Sequence, residues 1–429
     1  MTIAKQLSKA VPIPPHIPAS AVYDFDMFQD PAYNLDPHAR ILDLLNHAPA
    51  IFWTPRNGGH WITLSYNANF TVSRDPESFS SEMISHSKIK VFAAIEKVLV
   101  FFRLKNRTPL PYPILLDPPL HTKYRLPLQK VFAPKAVKLL EGRVRISATD
   151  LIEKTLAQGH CEFMSAIAEP LPVKLFLQIF GLPAERMAEF RKLLKQQLST
   201  NDPESDTMKT MATLQDIAAA MRDTFLDRKH SPQDDIISHL WRTKIDGRPM
   251  TMEDMENYGV LLFIAGLDTV MQAMGFAIRH LAMDQALQTR LRSNPAQIGD
   301  AIEEILRRYS FAMMSRRVNK DLEILDIKMK KDDKIWLFLH GANLDPEHFT
   351  NSHLVDIDRE DKAHIAFNAG PHRCLGSHLA RMELRVLYEE FLSRVPQFHL
   401  DPEQSPTFNC GFVIGVKTLH LTWNNQEPV

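Results

Sequence analysis

The stretch Phe-Asn-Ala-Gly-Pro-His-Arg-Cys-Leu-Gly at residues 367–376 decides how this 429-residue sequence is interpreted. A cysteine thiolate needs nearby positive charge or peptide N–H groups. Gly370 and Gly376 permit turns that a side chain would block, and Pro371 fixes a bend. The apolar spacing that follows predicts a helix, whose N-terminus carries partial positive charge and favours an anion. The stretch therefore predicts that the sulfur of Cys374 is held ready for a metal.

A lone buried cysteine is more often an inert small hydrophobic residue than a ligand. At Cys374, a phenylalanine, two glycines and the cysteine at fixed spacing are too specific for that interpretation, given ordinary composition. The stretch resembles the loop that carries the axial cysteine of haem in the cytochrome P450 monooxygenases, among them the soluble bacterial camphor hydroxylase. The resemblance extends from about residue 20 to the C-terminus.

The resemblance implies a mainly α fold with small β-sheets. In this triangular prism, haem b lies between a long central helix and the helix that follows the cysteine. We expect a single domain over residues 1–429, because the proposed haem contacts are spread widely along the chain, with an extended segment at 1–20.

A second motif lies at 258–270, which is apolar nearly all round, as expected for a helix through the middle of a core. A glycine in a helix interior, here Gly266, costs on the order of 1 kcal/mol relative to alanine. Considered alone, Thr269 would bond back to the carbonyl of Ala265, and Asp268 would cap a neighbouring element. The resemblance instead implies an oxygen-activation motif. Its two small residues, Ala265 and Gly266, leave room for dioxygen at the iron. Its acid–alcohol pair, Asp268 and Thr269, delivers protons.

A third motif contains Glu304 and Arg307, which stand one helical turn apart on the same face. Such a pair alone usually marks a solvated helix surface. It resembles the buried Glu-x-x-Arg pair of the family, which is tied to an arginine before the cysteine loop, and Arg359 is placed to be that arginine. The implied role is structural, because the three residues would fix the haem loop.

A fourth motif places two prolines before a predicted helix, with His121 and Arg125 four residues apart on one face. Alone they would be surface charges, but the resemblance implies that they reach a haem propionate, as do Arg316 and His372. It also implies that five further residues contact the haem, namely Ala265, Gly266, Phe367, Leu375 and Gly376.

Alignment of the motifs predicts an apolar substrate pocket above the haem, lined by Tyr112, Ile114, Leu261, Ile264, Ala265, Phe311, Ala312, Met314 and Val413. Pro109 stands where the camphor hydroxylase has its ketone-binding tyrosine, and Met314 replaces an aspartate near a propionate. These departures argue against camphor itself. We expect a terpenoid, a norisoprenoid or a similar compact hydrocarbon, with a fatty acid or an aromatic compound as the alternative.

Only 55 residues follow Cys374, too few for a reductase domain, so we expect separate electron donors. The resemblance implies a [2Fe–2S] ferredoxin and an NAD(P)H-dependent ferredoxin reductase. An acidic ferredoxin would be attracted by a basic patch made of Lys123, Arg125, Lys130 and Arg373. A solvated surface explains the two lysines equally well, and Asp361 falls where a basic partner-binding residue is expected.

The composition argues against several other classes. With 50 basic and 51 acidic side chains, the chain shows no pull toward nucleic acid or an anionic membrane. Cys161, Cys374 and Cys410 show no metal-pair spacing and no disulfide set, which suits a reducing compartment. We find no signal peptide and no run of about 20 apolar residues. We therefore expect a cytoplasmic, monomeric enzyme with no stable membrane insertion.

Elsewhere, Asn-Gly between apolar flanks predicts a hairpin with a tight turn at 51–64. Helical spacing is clear at 137–156, 184–197, 208–228, 252–283 and 296–309, and apolar alternation predicts strands near 322–338 and 412–423. The segment at 89–102 is apolar with a basic edge. It fits a lid helix over the pocket, a helix on a membrane surface or plain core.

Two other functional classes remain open from the sequence. A haem-thiolate sensor would keep Cys374 but would not need the acid–alcohol pair, and turnover with a ferredoxin pair would exclude it. A cysteine hydrolase would combine Cys374 with His372 or His378 and would need an oxyanion site. Haem absorbance in the purified protein would exclude the hydrolase.

Overall fold

The computed structural model of the chain describes residues 7–82, 108–199 and 207–424. The segment at 89–102, which fits a lid helix, a membrane-surface helix or plain core by sequence, lies outside these residues. Within them the fold is mainly helical with small sheets, which confirms the predicted fold class. Helix is observed in all five segments predicted from the apolar spacing. The helix at 252–283 has the predicted bounds, the segment at 137–156 is divided at residues 139–140, and the other bounds differ by a few residues.

The described helices are numbered in chain order. They are α1 Pro31–Leu35, α2 Pro37–His47, α3 Tyr66–Arg74, α4 Leu120–Gln129, α5 Pro134–Lys138, α6 Glu141–Leu156, α7 Pro170–Ile179, α8 Met187–Leu198, α9 Thr207–His230, α10 Ile236–Arg242, α11 Met252–Met283, α12 Gln285–Ser293, α13 Ile298–Arg308, α14 Leu339–Ala342 and α15 Ser377–Arg394. Short 3-10 turns precede α8, at Ala184–Arg186, and α15, at Gly370–His372.

The strands are short and form small sheets. They are β1 Ile51–Thr54, β2 His60–Thr63, β3 Phe79–Ser80, β4 His160–Glu162, β5 Lys244–Ile245, β6 Arg248–Pro249, β7 Met313–Val318, β8 Leu322–Ile324, β9 Ile327–Met329, β10 Lys334–Phe338, β11 Phe398–Leu400, β12 Thr407–Asn409, β13 Gly415–Thr418 and β14 His420–Trp423. The largest sheet has the order β1-β2-β10-β7-β3, in which β2 and β10 are parallel and the other pairs antiparallel.

The β1–β2 hairpin forms where Asn-Gly predicted it, but its turn is longer than expected. Asn57, Gly58 and Gly59 all have positive φ angles, at 51°, 83° and 79°, and the loop spans residues 55–59 rather than two residues. Gly59 also sits against Trp53, since a Cβ there would lie 2.6 Å from the indole ring. The residue that extends the turn, Gly59, therefore also packs against the indole ring of Trp53.

The central helix α11 organises the core. It begins at a capping box in which Thr251 and Asp254 each bond the other's backbone N–H. Its first half packs with α7, α8 and α9 in one apolar cluster that ends at Leu267, and its second half packs with α6, α13 and α15 in another. Near this junction Ala265 and Gly266 are exposed. Open space therefore lies beside the middle of an otherwise buried helix.

Among the described residues, α11 is the one helix long and apolar enough to cross a membrane by length and composition. We expected no such segment, because glycine and polar residues interrupt its apolar run, but the average over the helix is still apolar. Of its most apolar window, 72% is buried inside the protein. Its composition is accordingly explained by its place in the core.

Glu304 and Arg307 of α13 are both 0% exposed. The guanidinium donates to the two carboxylate oxygens at 2.8 Å each, and its other N–H groups donate to the carbonyls of Asn343, Ser352 and Leu354 at 2.7 to 2.8 Å. These contacts use all five donors of the arginine. Arg359 adds a 3.0 Å bond from Nε to Glu304. The network ties α13 to the segment that leads into the cysteine loop.

Removing the Glu304 carboxylate should destabilise the fold strongly. Glu304→Ala leaves the Arg307 guanidinium buried without its counter-charge, and we expect the free energy of unfolding to fall by about 3 to 5 kcal/mol. The measurement is denaturant unfolding of the purified variant, followed by circular dichroism.

Glu189→Ala is the matched control, because Arg186, in the 3-10 turn before α8, and Glu189 also form an i,i+3 ion pair, while the glutamate side chain is 45% exposed. An exposed pair of this kind contributes about 1 kcal/mol or less. Equal losses in the two variants would contradict a special role for the buried network.

Candidate active site

The cysteine loop at 367–376 is closed by its own backbone. The N–H of Cys374 donates to the carbonyl of Phe367 at 2.8 Å, and the N–H of Arg373 donates to the carbonyl of Gly370 at 3.1 Å. Gly370 has a φ of 67°, and a Cβ there would lie 2.2 Å from the carbonyl oxygen of Ser73. Both the conformation and the space therefore require glycine.

The sulfur of Cys374 is electrostatically poised but not ionised by the protein alone. Burial raises the pKa of the thiol above its usual value, and this outweighs the N–H of Gly376, which bonds the sulfur, and the positive charges of Arg125, Arg381 and Arg373. The residue as a whole keeps exposed surface all the same. A thiolate there needs a further positive charge, such as a metal ion.

Two neighbours of the cysteine are held in place by packing. The guanidinium of Arg381 lies 4.5 Å from the ring centre of Phe367 and is itself fixed by bonds of 2.6 and 2.7 Å to Glu303. Leu375 packs against the apolar cluster that contains the first half of α11. The loop thereby contacts both the α13 side and the central helix.

The four residues predicted to bind propionates converge. The rings of His121 and His372 lie 4.2 Å apart between centres, Arg125 donates to the carbonyl of Arg373 at 2.6 Å, and Arg316 donates to the carbonyl of Ser315 at 2.7 Å. One nitrogen of Arg316 and Nδ1 of His121 are buried with no hydrogen-bond partner among the described residues. We call His121, Arg125, Arg316 and His372 the cationic cluster.

The cationic cluster is short of negative charge. Burial and then the charges of Arg125 and Arg316 lower the pKa of His121 to about 4, and burial, Arg316, His121 and Arg125 together lower that of His372 to about 2. Burial also lowers the pKa of Arg316 to about 10. Asp117 opposes these shifts at His121 and Arg316. The unpartnered donor of Arg316, beside Arg125 and two imidazoles that burial and positive charge keep neutral, forms a site for a carboxylate ligand.

These features fit haem. Among the described residues no three His, Cys, Asp or Glu side chains could hold a metal ion together, so a metal at Cys374 needs ligands that this part of the chain does not supply. A porphyrin brings four nitrogen ligands and two carboxylates. The sulfur can take the iron, and the cationic cluster can take the carboxylates.

The acid–alcohol pair lies in the middle of α11. The hydroxyl of Thr269 donates to the carbonyl of Ala265 at 2.7 Å, the back-bond that the residue type alone suggested. Asp268 is 3% exposed, and its Oδ1 accepts a bond of 3.0 Å from Nε2 of Gln272. A Cβ on Gly266 would meet nothing within 4 Å. Gly266 is therefore not required by packing within the protein and borders open space.

Gln272 was not singled out in the sequence, because a glutamine on an apolar helix belongs to no recognisable motif. It is 2% exposed and accepts a bond of 2.9 Å from the N–H of Val416 in β13. Its side chain thus joins the carboxyl of Asp268 to the C-terminal hairpin.

The predicted pocket residues lie on four segments of the chain, at 112–114, 261–265, 311–314 and 413. Ala312 and Val413 face each other in an isolated antiparallel bridge, and Ile114 is exposed while Leu261 is buried within the apolar cluster of α7 to α9. The others are partly buried or border the open space, namely Tyr112, Ile264, Ala265, Phe311 and Met314. Leu261 contributes to the core, so its access to a substrate is less than that of the others.

Comparison with known proteins gives the family. The sequence model of the cytochrome P450 family matches residues 184–423. A probable cytochrome P450 127A1 of Sinorhizobium fredii is 32% identical over 97% of this chain and 98% of that protein. A methyl-branched lipid omega-hydroxylase of Mycobacterium tuberculosis is 27% identical over 96% of each chain. Linalool 8-monooxygenase of Pseudomonas putida is 28% identical over 90% of this chain and 95% of its own.

The solved structure of cytochrome P450 CYP101C1 superposes with a TM-score of 0.85, with 31% sequence identity over 96% of this chain and 100% of that one. The fold, the cysteine loop at 367–376 and the cationic cluster agree with this relationship. The chain belongs to the cytochrome P450 family and is a haem-thiolate monooxygenase that uses dioxygen.

Proposed function

We propose that this enzyme hydroxylates a compact apolar substrate of the terpenoid or norisoprenoid class, with two electrons from a ferredoxin system. One oxygen atom of dioxygen enters a C–H bond as hydroxyl, and the other leaves as water with two protons and two electrons. The observation that carries the substrate class is the apolar character of the residues predicted to line the pocket, among them Ile114, Ile264 and Val413.

The haem would be held through Cys374 and the cationic cluster, with Ala265, Gly266, Phe367, Leu375 and Gly376 against the macrocycle. When bound, haem with a thiolate ligand supplies the reduction and cleavage of dioxygen. The residues proposed to hold or contact it come from α4, α11, β7 and the cysteine loop. This spread supports one domain over the whole chain.

The acid–alcohol pair handles protons beside the open space. Because the Thr269 hydroxyl donates its hydrogen to the carbonyl of Ala265, its oxygen is left to accept a hydrogen bond. It can therefore hold a water molecule or another donor at that point of α11. The buried carboxyl of Asp268, one residue earlier, is the group that can release or take up a proton.

A second substrate class has its own support. The lipid omega-hydroxylase and the linalool monooxygenase match this chain at nearly equal identity, so a branched lipid is the alternative to a terpenoid. We place the terpenoid class first, because the motifs of the chain resemble those of the camphor hydroxylase and camphor is itself a terpenoid.

The electron donors are proposed to be a [2Fe–2S] ferredoxin and its NAD(P)H-dependent reductase. We further propose that the enzyme is cytoplasmic and monomeric. Lys130 and Arg373 are exposed and supply positive charge for an acidic partner. Lys123 is less available, since its ammonium group lies 2.6 Å from Asp246. Exposed Asp361 adds the opposite charge.

Replacing the proposed iron ligand should abolish the haem-thiolate signature. In Cys374→Ser, the reduced and carbon-monoxide-treated protein should lack the absorption band of thiolate ligation, and oxidation should cease. Cys410→Ser is the control, because that thiol donates to the carbonyl of Tyr33 at 3.1 Å and a serine hydroxyl can do the same. A thiolate band retained by Cys374→Ser would contradict the ligand assignment.

Removing the Thr269 hydroxyl should uncouple electron use from hydroxylation. Thr269→Ala should keep haem and substrate binding, while product per electron consumed falls by roughly tenfold and peroxide rises. Thr289→Ala is the matched control, because this threonine makes the same back-bond on α12, at 2.8 Å to the carbonyl of Gln285. Undiminished product per electron in Thr269→Ala would rule out the proton-delivery role.

The substrate class is tested by spectral titration with terpenoids, ionones, branched fatty acids and aromatic compounds. Displacement of iron-bound water changes the haem spectrum, and we expect the largest change from terpenoids or ionones. A response confined to branched fatty acids would replace the terpenoid proposal with the lipid one.

A further inference from the structure

We infer that Gln272 is a positioning residue for proton delivery, because its side-chain amide fixes the carboxyl of Asp268 and anchors it to the C-terminal hairpin β12–β13. This inference rests on the proton-handling role proposed for Asp268. It follows from the direction of two hydrogen bonds at the side chain of Gln272 and from the close packing around them.

The two bonds determine which way the amide faces. A backbone N–H can only donate, so the 2.9 Å contact from Val416 must end on the amide oxygen of Gln272. The amide nitrogen is then the atom that lies 3.0 Å from Oδ1 of Asp268, and it donates to that oxygen. The orientation of the glutamine is thereby set by the hairpin rather than by the carboxyl.

This orientation assigns different roles to the two oxygens of Asp268. Oδ1 accepts a hydrogen bond from Gln272, and an oxygen that carries the acid proton is a weaker acceptor than one that does not. A proton held by Asp268 therefore sits on Oδ2. The bond from Gln272 thereby gives the acceptor role to Oδ1 and the acid proton to Oδ2.

The surroundings explain why the hairpin can come this close. A Cβ on Gly415 would lie 2.7 Å from the amide oxygen of Gln272 and 2.6 Å from the side-chain oxygen of Asn409. Only the absence of a side chain at Gly415 lets β13 reach the helix. Gln272 and Asp268 are 2% and 3% exposed, so water cannot readily replace the amide.

The hairpin also carries part of the proposed pocket wall. Its connecting segment pairs with the start of β7, where the N–H of Met313 donates to the carbonyl of Phe412 at 3.1 Å and the N–H of Ile414 donates to that of Phe311 at 2.9 Å. Val413 lies on this segment, three residues before Val416. Gln272 thus connects the acid to the same hairpin that carries Val413.

The test is a double-mutant cycle on the haem-loaded full chain, with Gln272→Met, Asp268→Asn and the double variant. Methionine has nearly the same volume and removes both hydrogen bonds. Turnover is measured with NADH, a [2Fe–2S] ferredoxin and its reductase, on the terpenoid that gives the largest spectral change. We expect a several-fold slower turnover in Gln272→Met, and no additional loss when it is added to Asp268→Asn.

A second readout does not depend on activity. Amide hydrogen exchange should show faster exchange at Val416 in both variants that carry methionine, and unchanged exchange there in Asp268→Asn. Gln288→Met is the matched control: Gln288 is a fully buried glutamine whose amide nitrogen donates to the carbonyls of Leu281 and Phe398 at 3.1 Å each. It should lose stability without slower turnover of the folded protein.

The possible results distinguish the proton-handling role of Asp268 from the positioning role of Gln272. Normal turnover in Asp268→Asn would overturn the proton-handling role and this inference together. Slow turnover in Asp268→Asn with normal turnover in Gln272→Met would overturn only the role of Gln272. Losses that add fully in the double variant, or an equal loss in Gln288→Met, would show that Gln272 acts through stability alone.

Discussion

The site depends on keeping negative charge on one sulfur in surroundings that favour the neutral thiol. Burial raises the pKa of Cys374, and the N–H of Gly376 and three arginines reduce this effect without reversing it. The protein therefore prepares the sulfur for a cation but does not ionise it. A metal ion bound to the sulfur would supply the missing charge and displace the thiol proton. Ligand and cofactor would then be mutually dependent, because the metal would stabilise the thiolate and the thiolate would hold the metal.

Buried arginines in this fold fall into two kinds, and their hydrogen bonds distinguish them. Arg307 has an acceptor for each of its donors, all supplied by the protein, so it can only hold segments together. Arg316 is also buried, but one of its nitrogens has no partner among the described residues and its pKa is lowered. A buried guanidinium with an unpartnered donor lowers the stability of the fold unless a ligand accepts that hydrogen bond. The first kind fixes the cysteine loop, and the second kind forms the place where carboxylates of a cofactor fit.

Much of this arrangement could be predicted because the chemistry restricts the sequence locally. Gly370 has to be glycine, and the spacing of Glu304 and Arg307 puts them on one helical face, so both leave a readable pattern. The three carbonyls that complete Arg307 could not be predicted, since any residue supplies a carbonyl and only the fold brings Asn343, Ser352 and Leu354 together. The role of Gln272 could not be predicted for a related reason, because it depends on a hydrogen bond from Val416, which lies 144 positions away in sequence. The hairpin turn is longer than Asn-Gly alone suggested, since Gly59 also has a positive φ angle and belongs to the loop.

The polar residues of α11 show that structural and functional interpretations of one contact need not compete. The back-bond from Thr269 to Ala265 is what a threonine does in many helices, and here it also consumes the only hydrogen of the hydroxyl. The oxygen is then left as an acceptor beside Gly266, where a Cβ would meet nothing. Asp268 is constrained similarly, because its bond from Gln272 satisfies a buried oxygen and at the same time selects the other for the proton. Each of these hydrogen bonds joins two groups one helical turn apart and satisfies a buried polar atom. The bond thereby fixes the direction of the remaining lone pair of Thr269 or of the proton on Asp268. A regular helix can orient reacting groups in this way without any irregularity in its backbone.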